Sequence, residues 1–215
     1  MILDETLQFP NPAQADRRGL VAVGGDFSVE RLVAAYRQGI FPWTVEPITW
    51  GSPDPRGIIE LNEFHVSESL AKVIRKGVFK VTMNTAFVEV VKACATPDEK
   101  RPGVWITQEF IEAYTRLHRA GHAHSIECWR DGKLVGGVYG VAAGGLFAGE
   151  SMFHRVDNAS KVALYHLVDH LRARGFSLFD IQMVTAATAP LGAKNIARRE
   201  YLERLAEAVK LNCGF

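Results

Sequence analysis

The run His124-Ser125-Ile126-Glu127-Cys128-Trp129-Arg130, then Asp131-Gly132, then Lys133-Leu134-Val135-Gly136-Gly137-Val138-Tyr139-Gly140 constrains the fold more than any other stretch. Side chains alternate at period two on both sides of an Asp-Gly pair. That pair signals a type I′ turn, so the segment predicts an antiparallel hairpin. Ala143-Gly144-Gly145 turns the chain once more into Leu146-Phe147-Ala148-Gly149-Glu150, and a third neighbouring antiparallel strand results.

Helices surround this meander. Ser67 is placed to cap a helix running to Lys76, Asn84 one through Phe87, Val90 and Val91, and Thr107 one through Phe110, Tyr114 and Leu117 that stops at Gly121. Asp157-Asn158 opens a helix through Leu164, Leu167 and Leu171 to Gly175, a strand spans Phe176 to Met183, and a last helix starts near Arg198. Strands and helices interleave from about Ile58, which points to an α/β or α+β domain, with α+β the class expected for the whole chain.

The segment 1–57 has a different texture. Phe9-Pro10-Asn11-Pro12, Gly24-Gly25-Asp26, Phe41-Pro42-Trp43 and Ser52-Pro53-Asp54-Pro55-Arg56 punctuate it, leaving turns and extended pieces around one helix from Ser28 to Gly39. A small N-terminal domain (1–57) docked on a larger one (58–215) is the expected organisation.

Composition excludes some functions. With 25 Lys+Arg against 24 Asp+Glu, formal charge +1, any nucleic-acid contact must come from local clustering and not from a global basic field. Three separated cysteines without a CxxC pair suit a reducing cytoplasm, and no apolar run reaches the roughly 18 residues of a membrane span. His118, His122, His124 and Glu127 lie across a helix, a glycine stop and a strand, so no metal site is expected. Gly136-Gly137-Val138-Tyr139-Gly140 sits inside a hairpin with no helix opening after it, so no nucleotide cofactor is expected.

The polar intrusions are the functional candidates. Glu150 ends an apolar strand, and Asp180 and Gln182 interrupt Phe179-Asp180-Ile181-Gln182. A carboxylate among large apolar residues is costly to bury without a partner. On a regular strand residues two apart share a face about 6–7 Å apart, so Asp180 and Gln182 project together. With Glu150 they are expected to converge on one pocket walled by Phe147, Leu164 and Leu167, the composition of a small-molecule site. Lys72, Arg75 and Lys76 form a compact basic face on one helix, suited to a phosphate backbone if it borders a cleft.

Taken in order, Gly24-Gly25-Asp26, Gly39-Ile40-Phe41-Pro42-Trp43, Ser52-Pro53-Asp54-Pro55-Arg56, Trp105-Ile106-Thr107, Gly121-His122-Ala123-His124-Ser125-Ile126-Glu127, Gly149-Glu150-Ser151-Met152-Phe153 and Ala159-Ser160-Lys161 closely resemble the bacterial leucyl/phenylalanyl-tRNA-protein transferases over nearly the whole chain. The resemblance implies an acetyltransferase-like (GNAT-like) domain that uses no acetyl-CoA. It implies transfer of Leu or Phe, with Met a further candidate, from aminoacyl-tRNA to proteins starting with Arg or Lys. No cofactor, a cytoplasmic location and a monomer are expected.

By motif position, Asp180 and Gln182 match the catalytic pair and Glu150 the substrate-binding acid. Trp43 and Trp105 match aromatics near the 3′ adenosine, and Val138, Phe147, Leu164, Leu167 and Phe179 the amino-acid pocket. An amide is too weak a base to act alone, so Gln182 is expected to orient the attacking amine, with Asp180 holding its amide or the ammonium. Departures from the pattern are Ala186-Ala187-Thr188-Ala189-Pro190 where a histidine is usual, Trp50-Gly51 for a Trp-Trp pair, Glu68 on the basic helix, and the pocket positions Leu167 and Phe179. They motivate two other readings, a non-catalytic aminoacyl-tRNA-binding protein and a ligase acting on another amine.

Overall fold

The structure is a computed structural model that describes residues 2–97, 103 and 105–215. Strands β1 (Ile2–Leu3), β2 (Leu20–Gly24), β3 (Phe41–Val45) and β4 (Ile48–Gly51) form a first sheet in the order β1-β2-β4-β3. Pro42 is tolerated because β3 is the edge strand, where a missing N–H leaves no ladder bond unmade. Helix α1 (Val29–Tyr36) follows β2, and its first turn is capped by Ser28, whose hydroxyl accepts from the Arg31 N–H.

The second sheet has seven strands: β5 (Arg56–Ile59), β6 (Lys80–Met83), β7 (Ala123–Arg130), β8 (Lys133–Ala143), β9 (Leu146–His154), β10 (Leu178–Gln182) and β11 (Ala193–Ile196). Their order is β11-β5-β10-β9-β8-β7-β6, and all pair antiparallel except β9 with β10. Helices α2 (Glu68–Arg75), α3 (Phe87–Cys94), α4 (Gln108–Arg119), α5 (Ala159–Ala173) and α6 (Arg198–Ala208) pack around it. The expected meander is β7-β8-β9, and Asp131 and Gly132 take φ of 51° and 73°, the two positive values a type I′ turn requires. The mixed α+β class expected from the sequence is the one observed.

Three caps differ from expectation: Thr107 and Asn158 stand at the starts of α4 and α5 without a side-chain capping bond, and Asn84 is not a cap at all. Asn84 does not start α3; it sits at φ 55°, and its Oδ1 accepts the Ser125 N–H at 3.0 Å, tying β6 to β7. A side chain spent on a neighbouring strand cannot also cap, and α3 begins after Ala86 without a side-chain cap.

Strand alternation sorts the apolar residues onto two faces. Val138, Phe147 and Phe179 pack with Leu164 and Leu167 of α5 and Leu70 of α2. On the other face Tyr139, Val141, Ala148 and Phe153 pack with Tyr36, Phe87, Tyr114 and Trp50, so this core runs without a break into the first sheet.

Two irregularities lie side by side. The parallel pairing of β9 with β10 ends at Ala148 and Asp180, although β9 stays paired to β8 as far as His154. Next to that point β8 and β9 slip register between Tyr139 and Gly140, and β10 slips against β5 between Asp180 and Gln182. Gln182 itself has φ 63°, a conformation that is uncommon for a residue with a side chain and that clusters at functional sites.

Candidate active site

Where the backbone bonds between β9 and β10 stop, a side-chain bond continues: Gln182 Nε2 donates to Glu150 Oε1 at 2.7 Å. The bulge in β8–β9 turns Glu150 toward the helices, where Tyr36 of α1 donates to Oε1 at 2.8 Å and Tyr114 of α4 donates to Oε2 at 2.9 Å. The two phenol oxygens are also 2.7 Å apart. Burial pushes the Glu150 carboxyl up to about 7 against the two tyrosine donors, Asp180 adds to the rise, and Arg56 opposes it. Burial, reinforced by the Glu150 charge, holds Tyr36 and Tyr114 well above the ordinary phenol range, so both keep their protons at neutral pH.

Asp180 is fully buried and completely bonded. Arg56 Nε donates to Oδ1 at 2.9 Å and Nη2 to Oδ2 at 2.6 Å, Tyr201 of α6 donates to Oδ2 at 2.8 Å, and the Gln182 backbone N–H donates to Oδ1 at 2.8 Å. The Arg56 guanidinium lies 4.2 Å from the centre of the Tyr201 ring and 4.8 Å from that of Phe41, and Nη1 donates to the Gly39 carbonyl. Burial of the guanidinium works against its charge, but Asp180 beside it wins and holds its pKa above the usual arginine value.

The expectation that Asp180 would hold the Gln182 amide is therefore corrected. Asp180 has no acceptor capacity left for it, and Glu150 holds the amide instead. Asp180 fixes Gln182 through the backbone, which stabilises the positive φ. With Nε2 committed, the Gln182 Oε1 is the end that receives no hydrogen bond from a described residue.

Asp180, Gln182 and Glu150 do converge, but the expected apolar wall lies elsewhere. Val138, Phe147, Leu164, Leu167 and Phe179 are each at most 4% exposed and belong to the core on the α5 face, whereas the polar cluster lies on the face of α1, α4 and α6. The two groups come nearest at the parting of β9 and β10, where Phe147 and Phe179 each precede the last paired residues. Phe215 stacks on Phe147 with ring centres 5.4 Å apart and closes that core from the side.

The aromatics sit on different elements. Trp43 is on β3, and its ring occupies the space that a Gly51 side chain would need, since a Cβ there would lie 2.2 Å from Trp43 Cε2. Trp105 lies ahead of α4, 41% exposed, edge-on to Phe110 at 5.2 Å. Lys72, Arg75 and Lys76 are exposed on and just after α2, which packs on α5. The departure at 185–190 is closed by its own threonines, with the Thr185 N–H donating to Thr188 Oγ1 at 3.0 Å and the Thr188 N–H donating to Thr185 Oγ1 at 3.3 Å.

Sequence reasoning missed Arg56, Tyr36, Tyr114 and Tyr201. Arg56 had a signal, since it closes the Ser52–Arg56 motif and an arginine is the natural bidentate partner for a buried carboxylate. The tyrosines had none, because each reads as an ordinary apolar-face residue of its helix.

Comparison with known proteins bears on the whole chain. A family described as "Leucyl/phenylalanyl-tRNA protein transferase" matches residues 58–206, and one described as its N-terminal domain matches residues 25–54. The leucyl/phenylalanyl-tRNA–protein transferase of Pseudoalteromonas atlantica is 54% identical over 212 residues, covering 97% of this chain and 91% of that protein. The protein of the same name from Syntrophobacter fumaroxidans is 53% identical over 210 residues, covering 96% and 90%. Among solved structures, a GCN5-related N-acetyltransferase from Kribbella flavida is 12% identical with a TM-score of 0.43, covering 76% of this chain and 59% of that one, a likeness that carries no argument about the site. On the sequence matches, which span both sheets and every element of the polar cluster, the chain belongs to the leucyl/phenylalanyl-tRNA-protein transferase family.

Proposed function

We propose that this protein transfers leucine or phenylalanine, with methionine a further candidate, from aminoacyl-tRNA to the N-terminal amine of proteins beginning with Arg or Lys. It would act in the cytoplasm as a monomer, without a cofactor, and mark those proteins for degradation. Family membership supports the reaction class. The observation that carries the site is the parting of β9 and β10, bridged by Gln182 and Glu150, between a polar cluster on one face and an apolar core on the other.

In this reading the donor's ester carbonyl lies at the parting. Its side chain enters among Val138, Phe147, Leu164, Leu167 and Phe179, which must yield to admit it, and its terminal adenosine packs on Trp43 and Trp105. Lys72, Arg75 and Lys76 meet the tRNA phosphates. The acceptor ammonium docks on Glu150, and Gln182 Oε1 aligns the amine for attack. Asp180 is a positioning residue, holding Arg56 and the Gln182 backbone.

The ester is an activated acyl donor and an α-amine of pKa about 8 is already partly neutral at pH 7, so alignment supplies most of the acceleration. The test is incubation with radiolabelled Leu-, Phe- and Met-tRNA and peptides starting with Arg, Lys or Ala. Label on the Arg and Lys peptides alone is the expected outcome. Binding of donor with no transfer to any amine, or label only on a different amine, would overturn the proposal.

A further inference from the structure

Glu150, Tyr36 and Tyr114 make a ring of three oxygen–oxygen contacts of 2.7, 2.8 and 2.9 Å. An O–H···O hydrogen bond of that length holds one proton between its oxygens. Each phenol carries one, so the pair supplies two. With an ionised Glu150 both are given to the carboxylate, Tyr36 donating to Oε1 and Tyr114 to Oε2. With a protonated Glu150 the ring closes: Oε2–H donates to Tyr114, Tyr114 to Tyr36, and Tyr36 to Oε1. The bond from Gln182 Nε2 to Oε1 fits either state.

We propose that Glu150 is the general base of the transfer, taking a proton from the docked acceptor ammonium, and that Tyr36 and Tyr114 are positioning residues whose hydroxyls hold its carboxyl by donating to it. The inference rests on the function proposed above. Glu150 as a residue is only partly buried. Its pKa of about 7 lies close to that of an α-amine, which makes the proton exchange nearly balanced. The charged and titratable groups that face it are Tyr36 from α1, Tyr114 from α4, Tyr139 from β8, Asp180 from β10 and Arg56 from β5. Asp180 and Arg56 neutralise each other, and the phenols stay protonated, so the carboxyl is the member of the cluster that changes state.

The steps balance. The ammonium gives one proton to the Glu150 carboxylate and becomes a neutral amine. The nitrogen lone pair attacks the ester carbonyl, the new C–N bond forms, and the bond from the carbonyl carbon to the ribose oxygen breaks. The second amine proton goes to that departing oxygen, giving a peptide amide and a free tRNA hydroxyl. Glu150 then returns its proton to water.

The experiment is the pH dependence of kcat at saturating acceptor peptide, so that ionisation of the free peptide drops out. Wild type should lose activity on the acid side with a single inflection. Glu150→Gln, nearly isosteric and able to keep the ring, should lower kcat by about 10²-fold or more and abolish that inflection. Tyr36→Phe and Tyr114→Phe, each removing one donor to the carboxylate, should move the inflection to higher pH. Carbon NMR titration of the Glu150 carboxyl in folded wild type gives the same inflection without relying on any variant's folding. Glu150→Gln with kcat within about fivefold of wild type, or an inflection unmoved in both tyrosine variants, overturns the inference. A change confined to KM would leave Glu150 as an anchor for the ammonium and overturn it as well. Absence of transfer by wild type would instead overturn the function on which it rests.

Discussion

Replacement of Asp180 by alanine should unfold the protein more readily before it says anything about catalysis. The substitution leaves the Arg56 guanidinium, 1% exposed, without its counter-charge, and leaves the Tyr201 hydroxyl and the Gln182 N–H without their acceptor. Removing one partner of a buried pair costs about 3–5 kcal/mol, most of it from the charge left behind. In a chain of this size about 1 kcal/mol moves Tm by about 2–4 °C, so the drop should be about 6–20 °C. Urea unfolding followed by circular dichroism gives the free energy, and the double variant Arg56→Met with Asp180→Leu separates the causes. Replacing both members by apolar residues should restore much of the stability. Transfer should stay lost, because Gln182 has lost its backbone tether. An Asp180→Ala protein with the wild-type urea midpoint and no transfer would refute the reasoning, since the carboxylate would then act in the chemistry and not in the scaffold.

Three further outcomes follow from the geometry. Gly51→Ala should displace Trp43, whose ring fills the Cβ position, and so change tryptophan fluorescence and weaken donor binding; an unchanged spectrum and affinity would contradict this. Folded Glu150 keeps its proton up to about 7 while the unfolded chain releases it near 4.5, so this group's contribution falls as pH rises between those values, by on the order of 3 kcal/mol. His124, buried and held down to about 4, acts oppositely over nearly the same window, so the difference between wild type and Glu150→Gln in urea midpoints at pH 4.5 and 8 isolates the carboxyl. Lys72→Ala, Arg75→Ala and Lys76→Ala together should weaken donor tRNA binding and flatten its salt dependence, by roughly 0.7–0.9 in logarithmic slope per lost phosphate contact; an unchanged slope removes α2 from the interface.

The meander was legible because its information is local: alternation in β7 and β8 and two residues that accept positive φ specify the hairpin without knowledge of the rest of the chain. Ser28 and Ser67 announced α1 and α2 for the same reason, each accepting an N–H three residues on. Asn84 misled because a cap residue is defined by where its side chain goes, and a strand 41 residues away captured it. Long-range capture of this kind leaves no trace in a window of one helix.

The polar cluster shows where period-two reasoning stops being sufficient. Parity placed Asp180 correctly opposite Phe179, and composition singled out Glu150 and Gln182. Yet Gln182 reaches Glu150 only because the strand breaks its own rule at that residue, turning to φ 63° while Asp180 holds its N–H. A regular β10 would go on pairing with β9 and close the sheet. The bulge that defeats the pattern is thus what opens the strands between the two faces. The groups that stabilise it, Arg56 and Tyr201, come from 124 residues before Asp180 and 21 after it, and the phenols that bond Glu150 come from two different helices. A site assembled at an interruption of regular structure is announced in sequence only by the residues that regular structure would not bury, and its partners become visible when the chain is folded.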